Sequence, residues 1–240
     1  DASLAAGQEW LDPAESKAVL AAFGVPVLRG AVAHSAAEAA RAARKAGFPV
    51  AMKILSPDIP HKTDVGGVRL GLTDEVAVRS AYKAMLTIVA RARPDAQIEG
   101  VVIEPMYGQG HGREVMVGVV RDPVFGPAIS FGLGGTLVEV IGDSAVALPP
   151  LNAFLAHDLV LRTRANIALQ PLRGMPAADA AAVEAVLLRV SELVCEMPDI
   201  GTLDLNPVIV TEKGAVVVDA RLGVKRRPEG ARPYDHVAIH

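Results

Sequence analysis

Cysteine is almost missing from this chain of 240 residues: Cys195 stands alone, so no internal disulfide can form and a reducing cytoplasm is the expected setting. It falls in a helical pattern over 177–197, where a buried, inert thiol is expected. Aromatic residues make up only 4% and the net charge is −3, so neither a base-stacking platform nor a basic footprint exists; nucleic acid is excluded as a partner. No apolar run approaches the roughly 18 residues that cross a bilayer, so no membrane span is expected. The N-terminus lacks the basic-then-apolar order of a signal peptide. A serine-nucleophile elbow, H-E-x-x-H and C-x-x-C are also absent. The chain opens at Asp1 with no methionine, and a piece of a longer polypeptide is expected.

What is present is a globular composition, 51% hydrophobic and 21% charged, long enough for one large domain or two small ones. "LDPAESKAVLAAFG" predicts a helix capped by Asp12, with Pro13 at its first position, Glu15 completing a capping box and Gly24 ending it. "HSAAEAARAARKAG" repeats the signal with Ser35, Glu38 and Gly47. Strands are predicted at 49–55, 68–72, 98–106, 113–120 and 126–132, with an apolar run at 136–141. Helices are predicted near 74–92, 152–165 and 177–197, and a hairpin closes the series with "GTLDLNPVIVTEKGAVVVDARLG". The pattern is α+β (mixed α/β): a sheet-and-helix unit over 1–103, a second over 104–224, and a linker or tail over 225–240. Pro105 and Gly108 mark the seam, and clefts between such units commonly bind ligands.

The terminal hairpin carries the most chemistry. Asp204 and Asn206 are two apart on a strand and share a face. A two-residue loop at "EKG" puts Asp219 on that face too, whereas a three-residue loop with a bulge turns it away. In the first register two carboxylates and an amide oxygen converge, a set suited to Mg²⁺; the alternative is a surface face of an edge hairpin. Gly132, Gly134 and Gly135 after a strand form either a tight turn or a backbone cradle for an anion, without P-loop spacing. Glu139 follows, facing a cleft or solvent. Lys53, inside the apolar strand "PVAMKIL", needs an anionic partner or an escape to the surface, and phosphate is one such partner. In "HKTDVGGV" (61–68), His61 is either an inert loop histidine or a phosphate-handling one.

The segments "PVAMKILSPDIPHKTDVGGV", "VIEPM", "REVMVGVVRDPVFGPAISFGLGGTLVEV", "LDLNPV" and "VVVDARLG", in this order over about residues 10–224, resemble the ATP-grasp domain, the β part, of ADP-forming acyl-CoA synthetases, relatives of the succinyl-CoA synthetase β subunit. The resemblance implies an ATP-grasp fold of two α+β subdomains with a nucleotide cleft between them, ATP/ADP and Mg²⁺ as cofactors, and phosphate transfer through phosphohistidine. It implies that Lys53 contacts nucleotide phosphates, that the segment Glu104, Pro105 and Met106 is the hinge whose backbone reads adenine, and that Glu114 borders the nucleotide. Asn206 and Asp219 would hold Mg²⁺ with Asp204 beside them, and Gly134 and Gly135 would lie near the incoming phosphoryl group. His61 matches a second phosphocarrier histidine, the catalytic residue of the relay. The primary phosphohistidine belongs to a CoA-binding/CoA-ligase domain that this chain lacks, so that domain is the expected partner. The end "RPYDHVAIH" resembles the junction before a C-terminal GNAT domain in bacterial protein lysine acetyltransferases, which gives an alternative: a degenerate regulatory domain of an acetyltransferase.

Overall fold

The computed structural model describes residues 9–59, 61–108, 111–135, 142–172 and 174–225. Asp12 starts helix α1 (Pro13–Ala22) as expected: its carboxylate accepts the Ala14 and Glu15 N–H groups, and Glu15 answers the Asp12 N–H at 3.1 Å. Helix α2 (Ala36–Ala46) starts at Ser35, whose hydroxyl accepts the Glu38 N–H at 3.2 Å. Glu38, however, accepts from the His34 N–H rather than from Ser35, so the reciprocal arm of the capping box is shifted one residue upstream.

The chain divides into two compact units, Leu28–Tyr107 and the remainder, Asp1–Val27 with Gly108–His240. This differs from a first unit running from residue 1 to 103. Leu20 and Val25 are buried in the core of the second unit, and the Val217 N–H donates to Pro26 O at 2.9 Å, which ties the first segment there. The other boundary moves because strand β4 (Gly100–Pro105) runs through residue 103.

The Leu28–Tyr107 unit is a four-stranded antiparallel sheet in the order β1-β4-β2-β3, with β1 at Ala31–Ala33, β2 at Val50–Leu55 and β3 at Val68–Leu72. Strict alternation sorts the central strands. Val50, Met52, Ile54, Val101 and Ile103 are buried in one cluster with Ala39, Ala40 and Ala43 of α2 and Val78, Met85 and Val89 of α3 (Glu75–Ala92). Small alanines bring α2 close to the sheet, and each fully buried large side chain contributes about 2 kcal/mol. Ala51, Lys53, Val102 and Glu104 take the other face.

The second unit centres on a sheet in the order β10-β8-β5-β6-β7, with β9 also pairing β8. Its strands are β5 (Arg113–Asp122), β6 (Gly126–Leu133), β7 (Ser144–Ala147), β8 (Ile200–Thr211), β9 (Gly214–Val217) and β10 (Ala220–Val224). Val115, Val117, Val119, Ile129 and Phe131 form its inner face with Leu203 and Leu205, in one core with Val183, Val186, Leu187, Val190 and Leu193 of helix α6 (Ala180–Glu196). The helix expected at 152–165 is two: α4 (Ala153–Leu161) and α5 (Ala165–Leu169). Asp143 accepts the Arg164 N–H with both oxygens at 3.0 and 2.9 Å, and this outside acceptor restarts the chain there. The apolar run 136–141, with Glu139, and the tail beyond residue 225 lie outside the described residues.

Candidate functional site

The terminal hairpin turns at Glu212-Lys213: Thr211 pairs with Gly214, Val210 with Ala215 and Val208 with Val217. The same register continues past the strand break, because the Val218 N–H donates to Pro207 O at 3.0 Å, Leu205 pairs with Ala220 and Asp204 with Arg221. It sets Asp219 opposite Asn206, the register of the two-residue loop. The inward positions of β8 change from Leu203 and Leu205 to Val208 and Val210, and those of the partner from Ala220 and Leu222 to Val217 and Ala215. Both strands thus break alternation together at 206–207 and 218–219, as a bulge pair does, which re-aims side chains at that point. The hairpin is not at an edge on both sides: β8 also pairs with β5, so this polar face adjoins the outer face of β5, where Glu114 and Gly118 point.

The glycine turn after β6 closes over the same place. The Gly134 N–H donates to Glu114 O, and the Gly135 N–H to Asn206 Oδ1, both at 2.9 Å. A methyl on Gly134 would lie 2.6 Å from the Val115 backbone, and one on Gly135, whose φ is +84°, would run into the Glu114 carboxylate. Neither position accepts a side chain, so the main chain of the turn packs directly on β5 and ties its N–H groups to Glu114 and Asn206. Glu114, Gly134, Gly135, Asn206, Asp219 and Asp204 therefore form one continuous outer face of this unit.

Its electrostatics are acidic. Asp204 is solvent-exposed at residue level, yet the protein around its carboxyl raises its pKa above the ordinary aspartate value; Arg221 pulls it back and the Asp219 carboxylate raises it further. Two carboxylates that sense each other, with an amide oxygen between them, fit a hard divalent cation that keeps waters and takes phosphate oxygens. Among the described residues no three carboxylate, imidazole or thiol groups converge as a metal cluster, so a cation here would be completed by other ligands.

The other expected residues lie in the Leu28–Tyr107 unit. Lys53 Nζ meets Glu104 Oε2 at 2.8 Å, with side chains 15% and 3% exposed. The anionic partner that a lysine in strand β2 demands is thus supplied by the protein itself. Pro105 ends β4, and the Met106 N–H donates to Pro49 O at 3.2 Å, so in this hinge segment that donor is already engaged. His61 is exposed ahead of a turn over 62–66, in which the Gly67 N–H donates to Lys62 O at 2.7 Å and the Gly66 N–H to Thr63 O at 3.0 Å. A methyl on Gly67 would lie 2.5 Å from Ile54 Cγ2 and 2.8 Å from Lys62 O. The Gly-Gly pair therefore shapes the loop that presents His61.

Sequence reasoning missed Trp10 and Arg221, which belong to the same polar face as the hairpin carboxylates. The Arg221 guanidinium lies 5.1 Å from the centroid of the Trp10 ring. The signal available was the two-residue loop: with the turn at Glu212-Lys213, position 221 falls opposite Asp204.

A profile of the ATP-grasp domain family matches residues 2–224. The chain is 41% identical over 225 residues to the β subunit of the ADP-forming acetate–CoA ligase II of Pyrococcus furiosus, covering 92% of this chain and 94% of that one. It is 42% identical over 209 residues to the ADP-forming acetate–CoA ligase I of Archaeoglobus fulgidus, covering 87% of this chain but only 30% of that protein. Among solved structures it is similar to the dinucleotide-forming acetyl-coenzyme A synthetase 1 of Candidatus Korarchaeum cryptofilum. Its complex with coenzyme A and Ca-AMPCP gives a TM-score of 0.88 at 38% identity, covering 93% of this chain and 96% of that one. The complex with coenzyme A and Mg-AMPPCP, whose phosphohistidine segment points towards the nucleotide binding site, gives 0.80 at 34%, with the same coverage. These relatives are ligases, and the acetyltransferase-linked alternative finds no support among them. The chain belongs to the ATP-grasp domain family and is the ATP-grasp, β-type part of the ADP-forming acyl-CoA synthetases.

Proposed function

We propose that this chain is the nucleotide half of an ADP-forming acyl-CoA synthetase, in which phosphate passes between a histidine and ADP. The observation that carries the reading is the outer face on which Gly135 N–H, Asn206 Oδ1, Glu114 and Asp219 come together. Asn206 and Asp219 would hold Mg²⁺, with Asp204 beside them, and the cation would neutralise phosphate charge during transfer. The glycine turn at Gly134 and Gly135, whose N–H groups are held by Glu114 O and Asn206 Oδ1, would lie beside the moving phosphoryl group and leave it room. Lys53, held by Glu104, would contact the nucleotide phosphates, and the Glu104–Met106 segment would border adenine through backbone carbonyls.

His61 is the relay. In the direction of ATP synthesis its phosphorylated ring nitrogen gives up phosphorus to an oxygen of the ADP β-phosphate; the N–P bond breaks, a P–O bond forms, and neutral imidazole remains. Exposure suits the role, because the ring must also receive phosphate from a CoA-ligase domain on another subunit or another part of the polypeptide. The A. fulgidus relative, of which this chain spans 30%, is long enough to carry such a part in the same polypeptide. A cytoplasmic enzyme is the matching setting, and no helix among the described residues is long and apolar enough to cross a membrane.

The test is incubation of the chain with γ-labelled ATP and Mg²⁺, followed by detection of acid-labile phosphate. Label on the wild type that disappears in His61→Ala, with nucleotide binding retained, is the expected result. Undiminished label in His61→Ala would contradict the relay.

A further inference from the structure

We propose that the Leu28–Tyr107 unit, which does not carry the cation face, holds a separate ligand site that takes a free amine with a compact apolar body. A cavity of about 280 Å³ opens between helix α3, the residue after β1 and the segment leading into β4. Its helical wall is a stripe at i, i+4 and i+8: Tyr82, Leu86 and Ala90. The side chains shrink along the stripe, so space is left beside Ala90. Ile98 adds apolar lining, and His34 and Glu99 supply the polar part. Gly100 allows the last two to meet: a methyl there would lie 2.5 Å from Ala33 O and 3.2 Å from His34 Nδ1.

The lining selects the ligand by its hydrogen-bonding sense. His34 Nδ1 lies 2.7 Å from Glu99 O. A carbonyl can only accept, so Nδ1 carries the hydrogen and Nε2 of the neutral ring is left as an acceptor. The neighbouring backbone donors are spent: the His34 N–H goes to Glu38 Oε2 at 2.8 Å and the Glu99 N–H to Leu55 O at 2.9 Å. Burial and the Glu38 carboxylate push the Tyr82 pKa up, so its oxygen stays a hydroxyl that can accept. Among the described residues no lysine or arginine lines the cavity. What it offers is acceptors at His34 and Tyr82, negative charge from Glu38 beside Tyr82 and Glu99 in the lining, and an apolar floor. An anion finds no cationic partner there. An ammonium group finds acceptors, carboxylates and an aromatic ring, while its apolar body covers Leu86, Ala90 and Ile98. The volume stands at the small end of ligand pockets, which limits that body to about one ring.

The test titrates benzylammonium into the isotope-labelled full chain and reads amide NMR shifts, with phenylacetate, the same ring carrying the opposite charge, as the comparison. Benzylammonium should give saturable shifts centred on the His34, Ala90 and Gly100 amides, and phenylacetate none. Ala90→Leu, at an exposed helical position that accepts leucine readily, fills the space and should abolish binding with the melting midpoint unchanged. Tyr82→Phe keeps the ring and removes its acceptor, and should weaken binding by about 10-fold, the size of a lost hydrogen bond to a charged group. Equal binding of the two probes, no saturation with benzylammonium, or wild-type affinity in Ala90→Leu or Tyr82→Phe would overturn the inference. None of these outcomes bears on the proposed function, because no nucleotide or cation enters the titration.

Discussion

The two compact units hold their charges in opposite ways. In the Leu28–Tyr107 unit, Lys53 and Glu104 meet at 2.8 Å and cancel within the sheet face. In the other unit Asp204, Asn206 and Asp219 share a face on which Arg221 only partly offsets the carboxylates. The first pair is closed within the protein before any ligand arrives, and the loss of Glu104 falls first on stability. The second is electrically unfinished, and its disruption falls on binding. A charge closed within the fold and a charge left for a cation are thus told apart by counting partners on one face.

The largest effect is expected at Glu104. Glu104→Ala removes the carboxylate that Lys53 meets in an almost fully buried position, and should cost about 3 kcal/mol in urea unfolding. An unchanged unfolding midpoint would remove the distinction. On the other side, Asp219→Ala should weaken Mg²⁺-dependent nucleotide binding by about 10- to 100-fold with little loss of stability, checked by calorimetry and a thermal melt. A smaller effect is expected at Asp204. Its raised pKa means the folded state holds the proton more tightly, so its contribution to stability is full below the ordinary aspartate pKa. That contribution fades as pH rises through the raised value. Asp204→Asn should therefore raise the melting midpoint at pH 7 relative to pH 4, compared with wild type. At Cys195, buried and with its thiol pKa pushed up mainly by desolvation, an aromatic disulfide reagent should give no reaction in the native chain and full reaction after unfolding.

Local signals were legible where local physics decides. Asp12 and Ser35 cap their helices because a cap needs only its own next three residues. The loop at Glu212-Lys213 fixes a register, and from it the company of Asp219 follows. Lys53 declared a need for an anion, but not that Glu104, 51 positions along, meets it, since β2–β4 pairing is a tertiary event. Strands β1 and β7, three and four residues long, carry too little pattern to be seen. The break between α4 and α5 depends on Asp143, 21 residues before the N–H it accepts. Arg113 is buried and donates to the Ala168, His111 and Pro176 carbonyls, acceptors mostly more than fifty residues away that no local pattern announces. Trp10 gave no hint of its partner, because its place is set by the pairing of residues 9–11 with β10.

Calorimetric titration of the chain with ADP, with and without Mg²⁺, decides whether this face is a working cation-dependent nucleotide site. Saturable binding that requires Mg²⁺ and is lost in Asp219→Ala is the expected result. No heat at millimolar ADP with Mg²⁺, or binding indifferent to both Mg²⁺ and Asp219, would contradict it.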